Sequence, residues 1–397
     1  MSAFNPRRFS RPETLRHIAP HHLLEFLNPY REYLSSRKVR LPDALPLDGL
    51  DYDALCLVLL NPDSHTPPEI IEAMFYINGL ATPEGFDALQ NAIEGTDLDV
   101  EIPPDATPSD LAIQVWLKDP ALLERLHAEQ FLLHPRSFEY FRTTRSPVPP
   151  FVEPHVETIR ILEHALDEWF VKKRRGRTSR VFVFVKPDFV WFLVRHGEPF
   201  TREAAILEGE STSVHYRPEK YDVVVYDPQS GEIRMNARSK GEKKLYREKF
   251  GFYLFGDAHY FDGQSKFSLE PLRLDGVGSL VCSDVTGMDW VRLKEIHFYL
   301  GGEFQEVEIL KADDVFATLE RRGGFLPDRA PITRCTFEIQ FSDSKVPRMV
   351  TISSMNKAMF KRDDDALVLE DWMRKRGFIA FEDWDADEEE PLALAQA

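Results

Sequence analysis

Apolar residues recur at helical spacing through the first third of the chain. Leu23, Leu24, Leu27 and Tyr30 follow the spacing i, i+1, i+4 and i+7, which places them on one face of a helix. Four further helices are predicted to begin where Pro follows a residue that can cap a helix, at Thr66-Pro67, Thr82-Pro83, Thr107-Pro108 and Asp119-Pro120. The capping oxygen accepts a bond from a first-turn N–H, and Pro has no N–H to leave unpaired. The pattern predicts an all-helical module over residues 1–143.

A proline-rich segment separates this module from the rest of the chain. Residues 144–154 contain four Pro among eleven residues, which predicts a stiff linker and a domain boundary. The next helix presents Ile159, Leu162, Leu166 and Phe170 on one face.

Beyond Arg180 the apolar pattern changes to the period of a β-strand. The predicted strands include VFVFVK, FVWFLVRHG, TSVHY, YDVVVYD, EIRMNAR, FSLEPLRL, GSLVCSDV, VRLKEIHFYLG, EFQEVEIL, CTFEIQFS and RMVTISS. Most follow one another without an intervening helix, which is typical of an antiparallel sheet. The sequence therefore predicts two domains: an all-α N-terminal module, then an α+β domain with a mainly antiparallel sheet over residues 155–380. Residues 381–397 hold seven acidic and no basic residues, so we expect an acidic disordered tail.

The composition narrows the class of protein. Of 397 residues, 43% are hydrophobic, which excludes a disordered chain. The three Cys lie far apart without zinc-type spacing, and we expect them to be buried hydrophobic residues in a reducing compartment. No apolar run reaches the length of a membrane span, and the N-terminal residues lack the apolar region of a signal peptide. We expect a soluble, cytoplasmic protein of bacterial origin that has no membrane partner.

The net charge of −17 is unevenly distributed along the chain. Residues 41–130 sum to −16, whereas residues 171–250 carry 18 Lys plus Arg against 11 Asp plus Glu. Two clusters in the second segment are candidates for contact with a phosphate backbone. They comprise Lys172, Lys173, Arg174, Arg175 and Arg177, then Lys243, Lys244 and Arg247. The alternative is a solvated helix end that pairs with acidic parts of the chain.

Residues 221–240 offer a candidate metal site. This segment has an acid on one strand, further polar residues on a second strand, and then a helix. That order resembles the metal-dependent nucleases of the PD-(D/E)xK type. In that family two carboxylates hold Mg²⁺ and a Lys helps to activate water. The resemblance implies a catalytic set drawn from Asp222, Asp227, Glu232, Arg238 and Lys240. The second strand carries Asn236 and Arg238 where the family has Glu-x-Lys, and Glu232 with Arg234 two residues later offers an alternative Glu-x-Arg. An active nuclease, a degenerate one and an unrelated hairpin therefore all stay open.

A second motif, Arg195-His196-Gly197-Glu198, ends a predicted strand. Over about six residues it resembles the phosphate pocket of the histidine phosphatases, which implies a phosphorylated His196 and a phosphate held by Arg195. That chemistry needs a second His and a further Arg at the same phosphate. The later His215, His259 and His297 stand in different contexts, which favours an ordinary strand end.

Two functional hypotheses follow from these patterns. The first is a non-enzymatic adaptor or regulator in a multiprotein system that uses no cofactor. Its helical module would bind a protein partner, and its basic face would contact nucleic acid. The alternative is a Mg²⁺-dependent or degenerate nuclease centred on residues 222–240.

Overall fold

The computed structural model describes residues 6–133, 135–207, 209–263, 266–327, 330–353, 356–361 and 365–379. The predicted tail, residues 381–397, lies outside these ranges. The chain forms two compact units: Met1–Phe131 with Thr201–Tyr216, and Leu132–Phe200 with Arg217–Ala397. Within the described ranges, no helix is both long and apolar enough to cross a bilayer.

The first unit is built from short helices around one apolar core. They are α1 (Pro12–Arg16), α2 (Pro20–Leu27), α3 (Arg31–Ser36), α4 (Tyr52–Leu60), α5 (Pro68–Leu80), α6 (Pro83–Ile93), α7 (Pro108–Lys118) and α8 (Pro120–Glu129). Leu23 and Leu27 of the predicted stripe are buried, and Leu24 and Tyr30 pack against the same core. The predicted helical character of this region is confirmed.

Three of the four predicted N-caps are observed. The side chains of Thr82, Thr107 and Asp119 each accept a hydrogen bond from the N–H three residues later. The fourth prediction was wrong, because α5 starts at Pro68 and Thr66 does not cap it. The Thr66 hydroxyl instead lies in a turn, where it accepts a hydrogen bond from the N–H of Asp63.

Helical structure ends earlier than the sequence pattern indicates. Ser137–Arg142 form strand β1, although this segment fell inside the predicted helical module. Its short SFEYFR run is long enough for one strand, and its pairing partners lie far along the chain, where local periodicity cannot reveal them. The division between the two units accordingly falls before Leu132, and not in the proline-rich segment.

The second unit contains α9 (Val156–Lys172), β2 (Arg180–Val185), β3 (Val190–Gly197), β6 (Glu219–Asp227), β7 (Glu232–Asn236), α10 (Lys240–Phe255), α11 (Pro271–Leu274), β8 (Met288–Gly301), β9 (Glu306–Lys311), α12 (Val315–Arg322), β10 (Ile332–Phe341), β11 (Arg348–Ser353), β12 (Lys357–Met359) and α13 (Ala366–Lys375). Strands β4 (Thr201–Leu207) and β5 (Glu210–Tyr216) form a separate hairpin in the first unit. The main sheet has ten strands in the order β2-β3-β6-β7-β1-β12-β11-β10-β8-β9. Every neighbouring pair is antiparallel, which confirms the predicted fold class.

The two faces of this sheet position different side chains. Val224 and Tyr226 of β6 and Ile233 and Met235 of β7 join α9 and α10 in one apolar core. Because side chains alternate along a strand, the intervening Arg234 points to the opposite face.

Candidate functional site

A buried cluster of charged and polar side chains lies where β3 and β6 meet α9 and α10. We call it the polar cluster; its members are Arg175, His196, Lys220, Asp222, Glu242 and Tyr246. Pairing of β3 with β6 places His196 opposite Lys220 and Val194 opposite Asp222. Lys220 and Asp222 lie two residues apart, so both side chains face the helices. Glu242 belongs to the first turn of α10 and is fully buried.

Asp222 is the centre of the polar cluster. Its Oδ2 accepts a hydrogen bond of 2.8 Å from the Tyr246 hydroxyl and lies 3.1 Å from His196 Nε2. Its Oδ1 lies 2.9 Å from the Lys220 ammonium, which is also 3.4 Å from Oε1 of Glu242. Burial is the main cause of a Tyr246 pKa well above 10, so this hydroxyl stays a donor.

Glu242 links the cluster to the start of α10. Its carboxylate accepts a hydrogen bond from the N–H of Ser239, while the Ser239 hydroxyl accepts one from the N–H of Glu242. Arg175 donates to the same carboxylate. Burial is the largest single influence and would raise the pKa of Glu242, but the hydrogen bonds from Arg175 and Ser239 and the charge of Lys220 together outweigh burial, and the pKa falls to about 2.

Candidate metal ligands occur in this cluster. His196, Asp222 and Glu242 each offer one ligand atom, and these three atoms lie within 4.8 Å of one another. Lys220, however, lies against both carboxylates, and Arg175 neutralises Glu242. Two carboxylates are therefore balanced by two cations. This arrangement does not fit Mg²⁺, which takes oxygen ligands and would have to displace the Lys220 ammonium.

The five predicted catalytic residues do not converge. Asp227 accepts hydrogen bonds from Gln229 and Ser230 and stabilises the turn between β6 and β7. Glu232 lies opposite Asp227 and forms an ion pair of 2.7 Å with Lys266. Asp222 lies five residues before Asp227 in β6, which at about 3.3 Å per residue separates the two by roughly 16 Å.

Arg238, between β7 and α10, and Lys240, the first residue of α10, are both exposed. The structure thus brings Asp227 and Glu232 together at one end of the strand pair and leaves Asp222 at the other.

The histidine of the phosphatase-like motif is also placed unfavourably for phosphatase chemistry. His196 is 1% exposed and stacks on the Phe170 ring at 4.3 Å, which closes it to a phosphate ester.

The eight predicted nucleic-acid contacts divide into two groups. Three are partly buried and paired with carboxylates: Arg175 with Glu242, Lys243 with Glu139, and Arg247 with Asp262. The other five are exposed: Lys172, Lys173, Arg174, Arg177 and Lys244.

Exposed cations at the end of α9, in the turn after it and around the start of α10 flank the contact between these two helices. We define the basic surface as Lys172, Lys173, Arg174, Arg177, Arg238, Lys240 and Lys244. The two helices meet where Gly241 approaches Trp169, and a Cβ at Gly241 would lie 3.2 Å from the indole ring. Among the described residues, only Lys244 of this surface has an acidic partner, Glu248 at 3.7 Å.

Sequence reasoning missed a second polar site, around Arg234 and Lys266. Arg234 alternates with the buried Ile233 and Met235, so a cation within an apolar strand was the available signal. Both residues line a cavity of about 500 Å³ on the sheet face opposite α9 and α10.

Comparisons with known proteins do not assign either site. No protein-family model matches the chain, and no relative was found among curated proteins. The functional inferences below rest on the geometry of the chain itself.

Proposed function

We propose that this chain is a non-enzymatic interaction protein whose second unit contacts the phosphate backbone of nucleic acid through the basic surface. The observation that carries the proposal is the meeting of exposed cations from two chain segments at the adjoining ends of α9 and α10. Clustered Lys and Arg bind phosphates and release counterions from the polymer. The proposal gives the first unit the role of docking a protein partner.

The polar cluster supports this assignment because its cations neutralise acids that would otherwise weaken the attraction of the basic surface for phosphates. Asp222 and Glu242 are engaged by Lys220 and Arg175. Their negative charge is therefore balanced internally and adds little opposing potential at the surface above them. The exposed cations keep a net attraction for a polyanion although the whole chain is acidic.

A pair of charge reversals tests the basic surface. We expect K172E/K173E to weaken binding to duplex DNA and RNA on the order of tenfold at low salt, because two phosphate contacts are lost. The slope of log K against log salt should become shallower by about 2. Fluorescence anisotropy over a salt series measures both quantities.

The matched control is R321E/R322E in the last turn of α12. These exposed arginines end a helix in the same unit, so the change in net charge and in helix-end electrostatics is the same. An equal loss of binding in both variants, or no binding by the wild type at low ionic strength, would refute the proposed surface.

A metal-dependent nuclease is the second candidate, because potential ligand atoms of His196, Asp222 and Glu242 lie within 4.8 Å of one another, although a bound metal would have to displace the Lys220 ammonium. Plasmid and single-stranded DNA incubated with Mn²⁺ distinguish the two candidates when wild type is compared with Asp222→Ala. The first proposal predicts no cleavage by either protein. Cleavage that disappears in the variant would replace it with the nuclease.

A further inference from the structure

The cavity around Arg234 has a mixed charged and aromatic lining. Its walls come from β1, the turn between β6 and β7, β7 itself and α13. The residues that carry the argument are Tyr140, Phe189, Glu232, Arg234, Lys266 and Glu370. The volume of about 500 Å³ lies within the usual range of small-molecule sites.

Arg234 is a buried cation whose hydrogen-bonding capacity is unused. Its side chain is 9% exposed, and none of its N–H groups donates a hydrogen bond to a described residue. The closest carboxylate oxygen, on Glu370, is 3.9 Å away. A buried charge with unmet donors is destabilising unless a partner satisfies it, so this guanidinium is suited to an added anion.

Aromatic rings hold the guanidinium in place. Its central carbon lies 4.6 Å from the centre of the Phe189 ring, 5.7 Å from Trp191 and 5.8 Å from Phe138. Such cation–π contacts stabilise the charge without using its N–H donors. The donors therefore remain available to a ligand in the cavity.

Lys266, the other buried cation of the lining, is already satisfied. Its ammonium lies 2.7 Å from Oε1 of Glu232 and 4.2 Å from the centre of the Tyr140 ring. Burial is the largest single influence on Lys266 and would lower its pKa, but the combined effects of Glu232, Tyr140 and Glu370 outweigh burial, and the pKa is raised. Lys266 is thus charged and paired. Of the other cations in the lining, Arg142 donates a hydrogen bond to the Ser230 carbonyl, and Arg374 is exposed and lies 3.5 Å from Glu370, so Arg234 is the buried cation available to bind an anion.

We propose that this cavity binds a small organic carboxylate with an apolar or aromatic body, whose two oxygens accept hydrogen bonds from Arg234. The planar guanidinium matches a carboxylate in a two-bond arrangement. Phe141, Leu367 and Ile379 provide apolar lining for the body of the ligand. The lining holds four carboxylates, Asp188, Asp227, Glu232 and Glu370, against four cations, so it has no net positive charge that would favour a doubly charged phosphate over a singly charged carboxylate.

Small carboxylates paired with their uncharged amides provide the probes. Benzoate, cyclohexanecarboxylate and indole-3-acetate are compared with the matching carboxamides and with phenyl phosphate, using the full chain. We expect at least one carboxylate to raise the melting temperature by about 2–4 °C at roughly ten times its Kd. Its carboxamide should produce no shift. Isothermal titration calorimetry gives the Kd.

Two sets of variants separate ligand binding from folding. We expect Arg234→Met to weaken carboxylate binding at least tenfold, because it removes the charge and keeps most of the side-chain volume. Leu367 lines the cavity but is 72% exposed, so its substitution leaves the core intact. Leu367→Glu should weaken carboxylate binding by repulsion. Leu367→Gln introduces an uncharged side chain of the same shape as Glu and should therefore bind the carboxylate more tightly than Leu367→Glu.

The outcomes are decisive in both directions. Loss of binding in Arg234→Met and Leu367→Glu, with retention in Leu367→Gln, supports the site. The proposal is overturned if no carboxylate binds, if amides bind equally, or if Arg234→Met binds like the wild type. Tighter binding of phenyl phosphate than of benzoate would also overturn the carboxylate assignment.

Discussion

Glu242 connects the stability of the second unit to pH. Its pKa is lowered from 4.5 to about 2 in the folded chain, because the combined effects of Arg175, Ser239 and Lys220 outweigh burial. The folded pKa lies below the unfolded one, so the stabilisation is fully present above pH 4.5. It is lost as the pH falls toward 2. A shift of this size corresponds to about 3 kcal/mol.

Glu242→Gln should lower the free energy of unfolding at pH 7 by about 3–5 kcal/mol, since Arg175 and Lys220 lose their shared carboxylate. The variant should also show a smaller decline in stability between pH 4.5 and 2 than the wild type, while other carboxylates with lowered pKa values, such as Asp257 and Asp284, still contribute. Urea unfolding at a series of pH values measures both effects. Glu248→Gln, at a more exposed position of the same helix, should stay within about 0.5 kcal/mol of wild type.

His127 gives the helical unit a pH response of a different origin. Its imidazole lies among the rings of Phe75, Tyr76 and Phe131, and burial lowers its pKa from 6.5 to about 4. The folded unit favours the neutral ring, so stability is full above pH 6.5 and declines toward pH 4. The loss amounts to about 3 kcal/mol.

His127→Phe should remove this decline, because Phe keeps an aromatic ring at the site and cannot be protonated. The measurement is helical circular dichroism during denaturation at pH 7 and pH 4.5. A variant that lost as much stability as wild type over this range would contradict the assignment to His127.

Individual buried residues were the hardest features to predict. Asp222 was selected as an acid for metal binding, yet its actual partners, His196 and Tyr246, are 26 and 24 residues away. Neither the strand pairing nor the packing of α10 is visible in local spacing. Arg234 was predicted only as part of an alternative Glu-x-Arg sequence, and local spacing does not show that its side chain lines a cavity.

Helix α10 depends on a close approach at Gly251. A Cβ there would lie 2.6 Å from the carbonyl oxygen of Asp257 and 3.3 Å from the Cβ of Tyr260. We expect Gly251→Ala to destabilise the chain by about 1–3 kcal/mol, because overpacking exceeds the usual gain in helix propensity. Chemical denaturation checks this. Glu248→Ala, at a less buried position, should not be destabilising, and equal losses would contradict the steric explanation.

Elements with several agreeing signals were predictable. Asp119 combines a capping side chain, a following Pro and an apolar stripe, and helix α8 begins there. By contrast, the predicted strands FSLEPLRL and GSLVCSDV were wrong. The segments Pro271–Leu274 and Gly276–Leu280 instead form one short α-helix and one 3₁₀ turn. Their apolar residues fit a strand pattern, but Leu272 and Leu280 are buried from helical turns, and the strand-like pairing of these segments seen in the described residues is one bridge between Phe267 and Ile379.

The order of the two units followed from the change in hydrophobic period, which is why the fold class could be predicted from sequence. Their boundary could not be predicted, since β1 belongs to a sheet whose other strands come later in the chain.

The charge distribution adds a prediction for the full chain. Residues 381–397 carry seven acidic residues and no base, and can compete with polyanions for cations by long-range attraction.

Deletion of residues 381–397 should therefore strengthen binding to DNA at low salt, and the gain should shrink as salt screens the tail. Anisotropy titrations of the full and shortened chains measure the difference. A version in which the seven acids are replaced by their amides separates charge from length. Unchanged affinity after either alteration would reject competition by the tail.

The central place of β1 has a consequence for how the chain is made. β1 is synthesised before either of its neighbours, β7 and β12, and β12 is the last strand of the described residues. About 215 residues separate β1 from β12, which takes roughly 10–40 s at ribosomal speeds. During that time one edge of β1 has its backbone N–H and C=O groups open to other chains. The pace of translation thus sets how long each newly made copy is exposed to mispairing with its neighbours on the same message.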